Sequence, residues 1–332
     1  MQRALSFVFA ATAALATAAD LPRDSRFEAA AEFSRQHGGI AMLVQIDGRV
    51  VFEDYPNNGA VTRATELASG TKSFSGVLAL CAVEDGLLSL DEKVSATINE
   101  WAEDPGRRDI TIRQLLSLSS GIPGGDSALK TGRVPTYAEA IAVQAVAAPG
   151  EKFSYGPQPF QVFGEVLRRK LAQRDDTVMS YYERKIFRPL GIRPASWRKD
   201  ANGLPNIPSG AALTARDWAK FGEMVRLDGK GVLPPGKIQE CFRSTKANPG
   251  YGLTWWLPAA GPLGGAVPRK IAGAWLPKDT WMAAGAGGQR LVVVPSLNLV
   301  AVRKAPVRGD EAGFNDRVWL KALVDGLGAK AE

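Results

Sequence analysis

Three serines are followed by a lysine three positions later, at Ser69–Lys72, Ser127–Lys130 and Ser196–Lys199. On a helix this spacing places a hydroxyl and an amine on one face, where the amine can remove the hydroxyl proton and create a nucleophile. Only Ser69 stands at the start of a long amphipathic helical pattern. The positive potential of a helix N-terminus also favours a deprotonated nucleophile and a developing oxyanion. We therefore interpret Ser69 and Lys72 as candidate catalytic residues and the other two pairs as coincidences.

The chain contains one histidine and two cysteines, which limits the other chemistry available. Any Ser-His-Asp or Cys-His mechanism would need His37, whose place between a predicted helix and strand favours a structural role. A multi-histidine metal site is excluded, and Cys81 and Cys241 alone cannot form a structural zinc site. The two cysteines could pair in an oxidising compartment, although a buried thiol fits the apolar surroundings of Cys81 equally well. We expect no metal and no cofactor.

Periodicity and turn signals predict the elements that must position the candidate residues. A helix over 25–36 precedes a hairpin around Asp47-Gly48, and a strongly helical segment covers 70–85. Helical and loop segments continue to about residue 195, including IRQLLSLS and YAEAIAVQAVAA. Strands then return at YGLTWWL, KDTWMAAG, QRLVVVPS and LNLVAVRKA, followed by the helix NDRVWLKALVDGL.

This order predicts an α+β fold, an antiparallel sheet flanked by N- and C-terminal helices with a mostly helical region inserted. We expect the sheet domain from about residues 20–70 and 200–332, and the helical region over about 71–199. No linker divides the chain, so residues 20–332 are expected to form one functional unit.

The N-terminal stretch 1–19 is typical of a secretory signal, with Arg3, an apolar run and small residues at its end. Export to the periplasm or medium is therefore expected, with no membrane-spanning segment in the mature chain. The net charge of +7 is modest for 332 residues, and no basic block carries interleaved aromatics. Nucleic-acid binding is disfavoured on this ground.

Three ordered segments resemble a known family, the penicillin-recognising serine hydrolases. They are TELASGTKSFSGVLAL, ITIRQLLSLSSGIPGG and PGEKFSYGPQPFQVFGEVLRR. The branch most similar is the class C β-lactamase-like one, which includes esterases, D-amino-acid peptidases and 6-aminohexanoate-dimer hydrolase. The resemblance covers nearly all of residues 25–328 and implies a β-lactamase/transpeptidase-like fold.

The resemblance implies that Ser69 is the nucleophile, Lys72 the motif lysine and Tyr155 the tyrosine of the family's Tyr-x-Asn element. The side chains of lysine and tyrosine normally have pKa values near 10. The pKa of one or both must therefore be lowered before either can act as a base at neutral pH. Which of the two holds the proton is left open. The family's asparagine is replaced by Pro157, and Gln158 is the residue that could take over its contact.

The family's Lys-Thr-Gly element is also altered. A literal match at 130–132 precedes Tyr155 and is rejected, which leaves Ala283-Ala284-Gly285-Ala286-Gly287-Gly288-Gln289 on a late strand. The resemblance implies that the Ala286 N–H joins the Ser69 N–H as the oxyanion hole. Gly285, Gly287, Gly288 and Gln289 would then lie along the substrate. A glycine-rich strand with a bulge explains the segment almost as well.

Four tryptophans cluster in sequence near this strand, and they could wall an apolar acyl pocket or simply pack in the core. They are Trp255, Trp256, Trp275 and Trp281, of which Trp256 is the substrate-binding candidate. Arg290, the nearest cation in sequence, would either steer an anionic group or be solvated.

Together these observations predict an exported serine hydrolase that forms an acyl-enzyme on Ser69. Loss of the Lys-Thr pair and the asparagine favours an ester or small amide substrate over a β-lactam or a D-Ala-D-Ala peptide. A β-lactamase or DD-carboxypeptidase remains the first alternative. A non-catalytic protein that binds an envelope ligand is the second. The natural substrate and the oligomeric state are not indicated by the sequence.

Overall fold

The computed structural model describes residues 21–125, 133–258, 276–307 and 313–328. The predicted signal at 1–19, the pair Ser127–Lys130, the Lys-Thr-Gly match at 130–132 and Trp275 lie outside the described residues.

Five antiparallel strands form the main sheet in the order β2-β1-β8-β7-β6. They are β1 (Ala41–Ile46), β2 (Arg49–Asp54), β6 (Trp281–Gly285), β7 (Gln289–Val294) and β8 (Leu299–Lys304). Asp47 and Gly48 adopt φ angles of 50° and 73°, as a two-residue hairpin turn requires. The sheet is therefore assembled from both ends of the chain, as predicted.

Nine α-helices lie in the described parts of the chain. They are α1 (Glu28–Gln36), α2 (Ser73–Glu84), α3 (Ile112–Leu116), α4 (Tyr137–Ala142), α5 (Gln158–Ala172), α6 (Val178–Tyr182), α7 (Arg188–Leu190), α8 (Ala215–Arg226) and α9 (Asp316–Gly326). Helices α1 and α9 pack against each other, while α8 packs against β1, β7 and β8. The predicted α+β class is confirmed. None of the described helices is long and apolar enough to cross a membrane.

A second, small sheet has the order β3-β5-β4 and was not predicted. Its strands are β3 (Thr65–Glu66), β4 (Ser196–Trp197) and β5 (Ala211–Leu213). Strands of two or three residues are too short to show an alternating pattern, so sequence analysis does not find them. This sheet matters because β3 ends three residues before Ser69.

Two predicted elements differ from the structure. The segment YGLTWWL is not a strand: Thr254 has a φ of 72° and the Gly252 N–H donates to Trp255 O, so the chain turns back on itself. The segment YAEAIAVQAVAA, named among the helical and loop segments, is helical only from Tyr137 to Ala142, because Val143 adopts extended backbone angles. Both differences arise where the apolar pattern continues through a change in backbone direction.

Candidate active site

Ser69 lies in a tight turn that leads directly into α2. The 3-10 helix Ala68–Lys72 precedes α2 without a break, and Ala68 has a φ of 46°, which is rare for a residue with a side chain. Ser69 is partly exposed, whereas its neighbours Ala68 and Gly70 are buried. The local structure therefore presents the Ser69 hydroxyl outward at the start of a helix, as the sequence predicted.

Two glycines let other elements approach this turn closely. A Cβ on Gly70 would come within 2.8 Å of the Trp218 ring on α8. A Cβ on Gly285, at the end of β6, would lie 2.0 Å from Leu67 O and 3.0 Å from Gly70 N. Only glycine allows β6 to pack against the Ser69 turn at this distance.

Lys72 meets the Ser69 hydroxyl across one helical turn. Its Nζ lies 2.9 Å from Ser69 Oγ and donates to Pro208 O at 3.3 Å. The Nζ also faces the rings of Tyr155 and Phe160, 5.1 Å and 5.4 Å from their centroids. The side chain is buried, and this burial lowers the pKa of Lys72 to about 7. An amine with that pKa is substantially neutral at physiological pH and can accept a proton.

Tyr155 stands at the mouth of the same site, three residues before α5. Gly156 and Gly124 are in such close contact that a Cβ on Gly156 would meet Gly124 O at 1.8 Å, which fixes the loop carrying Tyr155. Desolvation raises the pKa of Tyr155, and an interaction with the Ser69 side chain and the charge of Arg290 offset part of the rise. The phenol is therefore protonated at neutral pH. The structure brings the three predicted catalytic side chains together.

The predicted oxyanion segment is a strand end followed by a turn. β6 ends at Gly285, the exposed Ala286 begins the turn, and Gly287 and Gly288 adopt φ angles of 77° and 75°. Glycine suits both of those positions. Ala286 is therefore placed one residue beyond the strand, rather than on it, and directly after the residue that contacts the Ser69 turn.

Gln289 and Arg290, next to this segment, do not behave as the sequence suggested, whereas the role predicted for Gln158 stays a prediction. Gln289 is fully buried and donates from Nε2 to Ala305 O, so it ties β7 to the chain after β8 instead of facing a substrate. Arg290 is also buried and is paired with Asp316, so it is neither solvated nor available to steer an anion. Gln158 is partly buried at the start of α5, with its Oε1 lacking a hydrogen-bond partner.

An aromatic cluster surrounds Tyr155, and of the three predicted tryptophans that the structure describes, only Trp256 belongs to it. Trp256 stacks on Tyr155 with 5.3 Å between the ring centroids, and Tyr251 and Phe153 contact both rings. Trp255 and Trp281 instead pack on Phe242, away from Tyr155. The Trp256 ring thus adjoins a candidate site residue, and its contact with a substrate stays a prediction.

The remaining chemistry-bearing residues have structural surroundings. His37 ends α1, where its Nδ1 lies 2.7 Å from Phe33 O and its ring packs on Phe33. Cys81 and Cys241 are both free, buried thiols, and burial raises the pKa of each. Ser196 and Lys199 are both exposed on or just after β4, and no contact joins them.

Sequence reasoning missed two contributors to the site. The Pro208 carbonyl accepts from Lys72, and the Phe160 ring covers the same amine. A main-chain carbonyl has no residue-type signature, and Phe160 is one of several apolar residues of α5. No sequence signal could have identified the carbonyl.

Comparisons with known proteins find a family and similar sequences. The family model described as "Beta-lactamase" matches residues 23–322. A lovastatin esterase from Penicillium rubens is 27% identical over 286 residues, which cover 69% of each protein.

Solved structures show the same fold. A putative 6-aminohexanoate-dimer hydrolase from Bacillus anthracis aligns with a TM-score of 0.71 at 19% identity, covering 90% of this chain and 81% of that one. EstCE1, a hydrolase with promiscuous acyltransferase activity, aligns at 0.70 with 17% identity, covering 92% and 100%. At these identities the structural likeness establishes the architecture alone.

Proposed function

Because this chain belongs to the beta-lactamase family, we propose that it is a serine hydrolase that forms an acyl-enzyme on Ser69, with Lys72 as the general base. The observation that carries this proposal is the 2.9 Å separation between Ser69 Oγ and the buried Nζ of Lys72. A hydroxyl is a weak nucleophile until an adjacent base takes its proton. Lys72 is close enough to do so and, with a pKa of about 7, is available in its neutral form.

The difference between the two candidate bases supports Lys72 over Tyr155. Burial disfavours the charged form of each group, so it makes the lysine amine neutral and keeps the tyrosine phenol neutral. A neutral amine can accept a proton, whereas a neutral phenol can donate one. We therefore assign base function to Lys72 and proton donation to Tyr155.

The chemical steps follow from these roles. Lys72 accepts the Ser69 proton while Oγ bonds to the substrate carbonyl carbon, and the carbonyl oxygen takes the negative charge. The bond to the leaving alcohol or amine then breaks, and Tyr155 donates the proton that this group needs, regaining one from protonated Lys72. In the second half, water attacks the acyl carbon and loses its proton to Lys72. The bond between the acyl carbon and Ser69 Oγ then breaks, the acid product leaves, and Lys72 returns the proton to Ser69 Oγ.

An uncharged ester or small amide is the proposed substrate class. The position where a family asparagine would offer a side-chain amide is Pro157, and the nearby Arg290 is committed to Asp316. Tyr155 and Phe153 are partly exposed beside the buried Trp256, which offers an apolar surface to an acyl group. The curated relative named as a lovastatin esterase is consistent with this preference.

The test measures covalent labelling and turnover on the same preparations. We expect a fluorophosphonate probe to label the wild type and Ser196→Ala equally and to leave Ser69→Ala unlabelled. Ser196→Ala is the matched control, since it removes a serine with the same lysine spacing. Equal labelling of wild type and Ser69→Ala would refute catalysis at Ser69, and no labelling of any variant would favour a binding protein.

Substrate class is decided by comparing p-nitrophenyl butyrate with nitrocefin. We expect ester turnover that Ser69→Ala abolishes, with nitrocefin hydrolysed far more slowly. Rapid nitrocefin turnover with inert esters would reverse this ranking and indicate a β-lactamase.

Export is proposed on the N-terminal stretch 1–19, which has the composition of a secretory signal. Expression in a Gram-negative host followed by N-terminal sequencing of the periplasmic protein tests it. Recovery of the full-length chain from the cytoplasm alone would contradict export.

A further inference from the structure

A buried arginine lies behind the strand end that contacts the Ser69 turn. Arg290 and Asp316 are each 1% exposed and form a two-pronged ion pair, in which Nε and Nη2 donate to the two carboxylate oxygens. The third nitrogen, Nη1, donates to Gly285 O and Gln289 O, each at 2.9 Å. Asp316 is the first residue of α9, so the C-terminal helix supplies the anchor for this contact.

The Gly285 carbonyl fixes the direction of a second main-chain group. In a trans peptide the C=O of one residue and the N–H of the next point in opposite directions, and the described residues contain no cis bond. Because Arg290 holds Gly285 O on the β7 side, the Ala286 N–H is directed toward the opposite side of β6.

That opposite side is where the proposed reaction takes place. Met282 and Trp256 exchange both main-chain hydrogen bonds there, at 2.9 Å and 3.0 Å, so the edge of β6 away from β7 carries Trp256. The Trp256 ring stacks on Tyr155, whose side chain interacts with Ser69. The Ala286 N–H therefore points toward the side of the strand that holds Tyr155 and the nucleophile.

We infer that Arg290 is a positioning residue for hydrolysis: anchored by Asp316, it fixes the Gly285–Ala286 peptide so that the Ala286 N–H is oriented to stabilise the substrate oxyanion. This inference rests on the proposed function. A donor aimed at developing charge stabilises a transition state most when it does not need to reorient during the reaction. Gly285 pairs with Gln289 at the end of the β6–β7 ladder, and the Arg290 contact holds its carbonyl at the point where two left-handed glycines take over.

The molecule contains a matched control for the ion pair. Glu53 on β2 is fully buried and accepts from Nε and Nη2 of Arg216, at 2.8 Å and 2.6 Å. β2 and β6 are the two opposite edges of the main sheet. Glu53→Gln thus disrupts the same kind of contact as Asp316→Asn, but on the strand at the opposite edge of the sheet from Gly285.

The experiment compares steady-state hydrolysis of p-nitrophenyl butyrate by Arg290→Met, Arg290→Lys, Asp316→Asn and Glu53→Gln. We expect kcat to fall about 10²-fold in Arg290→Met, as when one oxyanion donor is removed, and about 10-fold in Asp316→Asn. KM should stay within about 2-fold, because the contact acts on the transition state. Arg290→Lys should recover part of kcat, since an ammonium can still donate to Gly285 O.

Several outcomes would overturn the inference. One is a wild-type kcat in Arg290→Met; another is an equal kcat loss in Asp316→Asn and Glu53→Gln, which would indicate a general effect of destabilisation. If Arg290→Met does not fold, the comparison of Asp316→Asn with Glu53→Gln decides. Fluorophosphonate labelling of wild-type Ser69 is measured on the same preparations. If the wild type is not labelled, the proposed function is refuted. If it is labelled but kcat is unchanged in the Arg290 and Asp316 variants, only the role of Arg290 is refuted.

Discussion

Lys72 and Lys304 are two buried lysines with nearly the same ionisation but different surroundings. Burial lowers the pKa of each to about 7. Lys304 Nζ, at the end of β8, donates to Thr65 O at 2.8 Å and to Leu213 O, and so joins the main sheet to β3 and β5. Lys72 Nζ faces a hydroxyl and one carbonyl.

The difference lies in what each amine can exchange with its partners. Carbonyl oxygens only accept, and a neutral amine still has two N–H groups with which to satisfy both carbonyls of Lys304. The serine hydroxyl beside Lys72 can also give up a proton. A low pKa caused by burial is thus not sufficient to make a base; a partner that can lose a proton, and access for a substrate, are needed as well.

The largest expected effect comes from replacing each lysine by methionine. Lys72→Met should reduce kcat/KM for p-nitrophenyl butyrate by at least about 10³-fold, because general-base catalysis is lost. Lys304→Met should stay within about 5-fold of wild type, because this lysine touches only main-chain carbonyls. Equal losses in the two variants would show that the comparison is wrong and that both lysines act through the fold.

Removing the phenolic hydroxyl of Tyr155 tests the proton donor proposed to act beside Lys72. Tyr155→Phe keeps the stacking on Trp256 but removes proton donation, and we expect kcat to fall about 10²-fold. Tyr251→Phe, in the same aromatic cluster, is the control and should change kcat little. A Tyr155→Phe enzyme with wild-type kcat would leave Lys72 as the sole proton carrier.

The pH dependence of activity should follow Lys72 and not Lys304. Because the base must be neutral, kcat/KM should rise about 10-fold per pH unit at low pH. It should level off above pH about 7, where Lys72 is largely neutral. Lys304→Met should retain this acidic limb. The assignment of Lys72 as the base would be contradicted if the fall in kcat/KM at low pH disappeared in Lys304→Met. It would also be contradicted if that fall were centred near pH 10.

The smallest expected difference between the two lysines is in stability, where they should behave alike. Their ordinary pKa is 10.5, and in the folded protein it is about 7. Between these values the unfolded chain binds more protons, so the free energy of unfolding rises with pH by about 1.4 kcal/mol per unit for each lysine.

Urea unfolding at pH 7.5, 8.5 and 9.5 measures this dependence. Each methionine variant should lose the contribution of one lysine and show a correspondingly shallower rise. A variant that keeps the wild-type slope would show that its lysine is not buried uncharged.

Much of this molecule could be predicted from its sequence because the informative patterns are local. The hairpin at Asp47-Gly48 and the helix after Ser69 follow from turn chemistry and periodicity within a few residues. Lys72 faces Ser69 for the same reason, since three positions on a helix bring side chains together. Tyr155 required the resemblance to a family, because no local pattern links it to a residue 86 positions earlier.

The errors lie where distant segments meet. YGLTWWL has the composition of a strand but folds into a turn that places Trp256 against Met282. Gln289 and Arg290 sit on a correctly predicted strand, yet the sequence could not show that the first faces the core and the second meets Asp316. Both outcomes depend on which partner occupies the space next to the strand.

The order of residues alone determined the candidate pair Ser69 and Lys72, the main-sheet strands and most of the helices, because covalent spacing and backbone preferences act over one or two turns of chain. The tertiary structure decided which groups became buried, which buried lysines lost their tendency to be charged, and which main-chain groups were held in one orientation. Desolvation of Lys72 and the anchoring of the Gly285 carbonyl by a residue of the last helix depend on what surrounds an atom in space. These surroundings form only when segments that are distant in sequence come together in the folded chain.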